Sequence, residues 1–146
     1  MRKRFLSVSL VALLAIGGAA TFAGPASAAD YLRTHLNGRH EIPNADPNGG
    51  GHVEIWTHPT HGNVCFRIRV WNIQLPAMAA HIHYGTRWEN GPVAVTLHAP
   101  HRLGRATGCR HVGGWLTRDI ENHPWRYYVN VHTDQFPNGA IRGQLH

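Results

Sequence analysis

The chain has 146 residues, 42% of them hydrophobic, with 14 Lys and Arg against 8 Asp and Glu; that is one domain with enough apolar material for a core. Arg2, Lys3 and Arg4 account for three of the cations, and the remainder holds 11 Arg against 8 acids, a formal +3 too mild and too dispersed to argue for nucleic acid. No Lys follows Lys3 and no Ser follows Ser27, which removes lysine Schiff-base and P-loop chemistry and the Ser-His-Asp triad from the rest of the chain.

Residues 1–28 read as a cleaved export signal. Arg2, Lys3 and Arg4 form the positive start, Phe5 to Phe22 the apolar run, and Ala26-Ser27-Ala28 the small-x-small cleavage site. The run is interrupted by Gly17, Gly18 and Thr21, so it is a poor membrane span. Residues 29–146 then form one domain, with no second stretch able to span a bilayer. Short alternating segments separated by Gly, Pro and Asn predict strands over Tyr31–Leu36, Gly51–Thr57, Val64–Trp71 and Ala80–Tyr84, then Val93–Leu97, Cys109–Val112, Arg126–His132 and Ala140–Leu145. Asn44–Gly51 reads as a loop and Pro137-Asn138-Gly139 as a tight turn. One short helix is expected over Trp115–Asn122, with Trp115, Leu116 and Ile120 as its apolar side and Pro124 beyond its end. The fold class is therefore all-β: an antiparallel, Greek-key-like β-sandwich of about eight strands with one short helix.

Side chains two apart on a strand share a face. Val64, Phe66, Ile68 and Val70 are assigned to the core, as are Tyr127, Val129 and Val131; Val93, Val95 and Leu97; Ile82; and Ile141 and Leu145. Cys65 and Cys109 are the only cysteines, and in an exported chain one disulfide is the default reading.

The opposite faces carry the chemistry. His81 and His83 form a His-x-His strand, their backbones about 6.5–7 Å apart on one face, close enough for two neutral imidazoles to share a metal. His132 has the matching phase on another strand and would complete a three-His site of the kind that holds zinc or copper. His98 has the same phase and is a possible fourth ligand; Asp134 could orient a ligand imidazole. The other nine histidines are expected on solvated surface, mainly in loops or at termini. Arg67, Arg69 and Trp71 share a strand face and are candidates for contact with a partner, as are the aromatics Trp56 and Tyr128, unless these pack in a second small core. The 8 acids are scattered and single out no carboxylate pair for glycosidase chemistry.

Four stretches resemble the CHRD domain family, which takes its name from the extracellular protein chordin. Leu36-Asn37-Gly38 with Glu41-Ile42-Pro43 is similar to its opening. Ala80-His81-Ile82-His83-Tyr84-Gly85 is similar to its central segment, and Asn90-Gly91-Pro92-Val93 to the glycine-proline-valine that follows. Tyr128-Val129-Asn130-Val131-His132-Thr133 with Phe136 to Leu145 is similar to its closing signature. Ala140 stands where many members carry an acid. The resemblance spans about Tyr31 to His146 and implies an extracellular, β-rich domain; it carries over no activity and no growth-factor binding. The Ala80–Gly85 segment is also similar to the copper-ligand strand of copper-zinc superoxide dismutases, but the rest of that ligand pattern is absent. Two functions are expected: a non-catalytic extracellular module binding a protein or polysaccharide partner, or a mononuclear copper or zinc protein using His81, His83 and His132, redox-active if the metal is copper.

Overall fold

A computed structural model describes residues 30–146; the export-signal reading of 1–28 lies outside them. The elements run β1 (Asp30–Asn37), β2 (Gly50–His58), β3 (Asn63–Trp71), β4 (Ala79–Tyr84), β5 (Val93–Thr96), β6 (Arg105–His111), α1 (Gly114–Asn122), β7 (Tyr127–His132) and β8 (Ile141–Gln144), with single 3-10 turns at Gly38–His40 and Pro124–Arg126. Every ladder is antiparallel. The eight strands form one continuous sheet in the order β5-β4-β7-β8-β1-β2-β3-β6. The expected two layers are thus the two halves of a single sheet that curls nearly shut. Its outer strands meet through side chains: Arg110 Nε donates to the Thr96 carbonyl at 3.0 Å, and His98 Nδ1 donates to the Thr107 carbonyl at 3.0 Å.

Period-two hydrophobicity sets the register. On β3, Val64, Phe66, Ile68 and Val70 are all buried while Arg67, Arg69 and Trp71 are exposed. Burying each such side chain contributes about 1.5–3 kcal/mol, whereas the Arg67–Glu54 ion pair beside them (3.0 Å, half exposed) belongs to a class worth roughly 0–1 kcal/mol. The apolar stripe therefore decides the pairing. Leu32 and Leu36, Val53 and Ile55, Ile82, Val95 and Leu97, Val129 and Val131, and Ile141 and Leu145 complete the core, and Ile120 of α1 is buried in it. Cys65 and Cys109 are direct partners across β3 and β6 and form a disulfide.

Four expectations need correction. Val93 is 50% exposed: the β4–β5 register shifts at His83, which pairs with Val93 while Ile82 pairs with Val95, so the bulge breaks the alternation. Trp115 is exposed at the first turn of α1, which buries Thr117 and Ile120 instead. His58, expected in a loop, is the last residue of β2. Finally, β7 is buried on both faces: its outer face is covered by the loops on either side.

Candidate metal centre

The β4–β7 ladder places Ala79 opposite His132, His81 opposite Asn130, and His83 opposite Tyr128. All six share the face away from the core, since Ile82, Val129 and Val131 occupy the other. A third strand extends this surface: Asn130 pairs with Arg142 and Tyr128 with Gln144 on β8. His83, Tyr128, Asn130, His132 and Arg142 are nevertheless buried. Together they make a second, polar core beneath the β4–β5 and β7–β8 connections.

His81, His83 and His132 converge, each offering one ring nitrogen within 4.8 Å of the others. Backbone carbonyls set two of the tautomers. His83 Nδ1 donates to the Gly91 carbonyl at 2.9 Å and His132 Nδ1 to the Pro137 carbonyl at 3.0 Å. A carbonyl can only accept, so Nδ1 carries the proton and, in the neutral ring, Nε2 is left as a lone pair. His83 Nε2 is buried with no hydrogen-bond partner. His132 Nε2 lies 3.1 Å from His81 Nδ1 and 3.0 Å from Asn130 Oδ1. Electron-rich atoms thus face one another with a single proton, on His81 Nδ1, available between them. Two nitrogens each about 2.0–2.1 Å from a tetrahedral zinc ion would stand about 3.3 Å apart; His81 Nδ1 and His132 Nε2 are 3.1 Å apart, and the full three-ring set lies within 4.8 Å.

The electrostatics disfavour the charged forms of His81 and His132. Burial, followed by repulsion from His132 and His83, lowers the His81 pKa to about 4. Burial also lowers that of His132, against the stabilising bond to Pro137. Neutral imidazole is the ligating form. Around the cluster, His83 stacks on Tyr128 with centroids 4.8 Å apart and planes 4° from parallel. Tyr128 in turn lies 3.3 Å beneath the Arg142 guanidinium, and its hydroxyl accepts from Gly91 N–H at 3.1 Å.

The remaining candidates lie elsewhere. His98 does not join the cluster: it sits at the β5–β6 seam, bonded to Thr107 and edge-on to Phe66. Asp134 is exposed and bonds to no imidazole; the orienting partners are the Gly91 and Pro137 carbonyls. Main-chain carbonyls have no sequence signature, which is why residue-type reasoning chose the acid. Arg67, Arg69 and Trp71 lie on β3, four strands from β7 in the sheet; Arg67 holds Glu54 and stands 5.4 Å over Trp56. Sequence reasoning also passed over Glu41 and Arg142, both buried, because an acid and an arginine in polar segments read as solvated.

The family model of the CHRD domain matches residues 32–145. The chain belongs to the CHRD domain family. No curated protein and no solved structure matches it. The family's matched span covers every strand of the polar core, and the three segments that resemble its opening, glycine-proline-valine and closing motifs meet there. In this CHRD domain Glu41, Gly91 and Arg142 come from those three segments, and the central segment supplies His81 and His83. Among the described residues, no helix is long and apolar enough to cross a membrane.

Proposed function

We propose that this CHRD domain is an exported, non-catalytic binding module, and that it binds one zinc(II) or copper(II) ion through His81, His83 and His132. The observation that carries this reading is the buried, unpartnered Nε2 of His83, its tautomer set by Gly91 and its lone pair close to two further imidazole nitrogens. An unpaired buried acceptor costs about 1–3 kcal/mol, and a cation shared with its neighbours removes that penalty. The all-imidazole donor set suits zinc and copper rather than the oxygen-seeking calcium or magnesium. Support for export comes from the signal pattern in 1–28 and from the disulfide, which needs an oxidising compartment.

Calorimetric titration of the metal-free chain with zinc(II) and with copper(II) is expected to show one equivalent bound. His81→Ala, at a half-buried position, should keep the apo fold and lose more than the roughly 10–100-fold in affinity typical of removing a mere orienting partner. Unchanged stoichiometry and affinity in a folded His81→Ala variant would end the metal reading. Export is tested separately: N-terminal sequencing of protein recovered outside the cell should start at Ala29, and an intact Met1 would contradict it.

A further inference from the structure

A cavity of about 520 Å³ opens on the β1–β8 side of the polar core, within the size range of small-ligand sites. Its lining includes Glu41 and Gln144, and each of these side chains has a buried oxygen, Oε1, with no hydrogen-bond partner. Glu41 is 5% exposed, and burial raises its pKa to about 7 despite the opposing charge of Arg142. The rim carries two exposed cations, Arg39 and Arg87, and Trp88, which is 81% exposed. An indole held this far into solvent contributes nothing to the core and is the side chain of choice for an aromatic contact.

The rim is held in place. Arg142 donates to the Thr86 and Glu89 carbonyls, both at 2.7 Å, and to Asn90 Oδ1 at 3.1 Å. Asn90 Nδ2 donates to the Ile42 carbonyl at 2.7 Å. The segment bearing Arg87 and Trp88 is thus tied both to β8 and to the chain beside Glu41, so little ordering would be lost on binding.

We propose that this cavity binds an acidic saccharide, a uronic-acid unit of a polysaccharide. The chemistry matches feature by feature. Buried acceptors without donors call for hydroxyl groups, which a sugar ring presents in adjacent pairs. The exposed indole offers a flat face to the ring's C–H groups. Arg39 and Arg87 suit a carboxylate, to which guanidinium binds in fork geometry. A simple polyanion would satisfy the arginines and leave Glu41 and Gln144 unpaired. A neutral sugar would do the reverse.

The test is calorimetric titration of the full chain with tetragalacturonate, with neutral maltotetraose and with tetraglutamate. Tetragalacturonate is expected to bind at least about tenfold more tightly than either control, and Trp88→Ala or Arg87→Ala, both at exposed positions, should each weaken it about tenfold. Glu41→Gln, with its melting temperature measured alongside, should weaken it as well. His81→Ala should leave it unchanged, which separates this site from the metal centre. Absence of tetragalacturonate binding, equal binding of tetraglutamate, or indifference to Trp88→Ala would each overturn the proposal.

Discussion

Glu41 and Arg142 are both buried, but they are secured differently. Arg142 is 1% exposed and donates three charge-assisted hydrogen bonds, each of a kind worth about 1.5–3 kcal/mol. Arg142→Ala should therefore destabilise the domain by about 3 kcal/mol or more and release the Thr86–Asn90 segment, measured by urea unfolding and by amide exchange in that segment. Glu41 has the charge without the bonds. Its carboxyl ionises near pH 4.5 when unfolded and near 7 when folded. Between those values the folded state holds the extra proton, so the stability linked to Glu41 is complete below pH 4.5 and is lost as pH rises through 7. Its full span is roughly 3 kcal/mol. Glu41→Gln should raise the melting temperature at pH 8 and show a shrinking advantage toward pH 5; an advantage that grows on acidification would contradict the burial argument. Neither residue's role was legible from the sequence. An acid between a 3-10 turn and a proline, and an arginine alternating with Ile141 and Gly143, both read as surface, because their burial comes from segments far away along the chain.

At the scale of elements, β3 was fully legible and β7 only by half. One face of β7 is Tyr127, Val129 and Val131, as alternation requires; the other is covered by the β4–β5 and β7–β8 connections, whose placement no strand period encodes. The β7–β8 turn shows the coupling. Gly139 has φ +130°, and a Cβ there would overlap the Glu41 carboxyl; only glycine fits both demands. The same turn carries the Pro137 carbonyl that sets the His132 tautomer. Gly139→Ala should cost about 1–3 kcal/mol through backbone strain and should also weaken zinc binding, read by denaturation and by metal titration of the same variant. The disulfide secures the other end of the sheet. It joins β3 to the outermost strand β6 across a sequence separation of 44; Cys65→Ala with Cys109→Ala should lower stability by about 2–4 kcal/mol. The loss is expected first as exchange of β6 amides.

For the whole molecule, the proposed metal site ties ion binding to folding. A ligand that binds only the folded state adds about 2.7 kcal/mol at a concentration 100 times its dissociation constant. Zinc should therefore raise the melting temperature of the parent chain in a concentration-dependent way and leave that of His81→Ala unmoved, as differential scanning fluorimetry would show. The phase of His81, His83 and His132 could be read directly, because alternation alone says which residues face away from the core. His98 shares that phase yet stands at the β5–β6 seam, since phase names a face and not a position around the sheet. By itself, the sequence determined the strands and the helix of the described residues, the family and the cysteine pair, because each rests on local period, turn chemistry or residue inventory. Tertiary structure alone decided that the two layers are one curled sheet, that its outer polar face is buried on three strands, and that Glu41, Arg142 and Trp88 frame a cavity. Those outcomes depend on strand order and on loops folding back over the sheet, and contacts between distant segments leave no periodic trace in the chain.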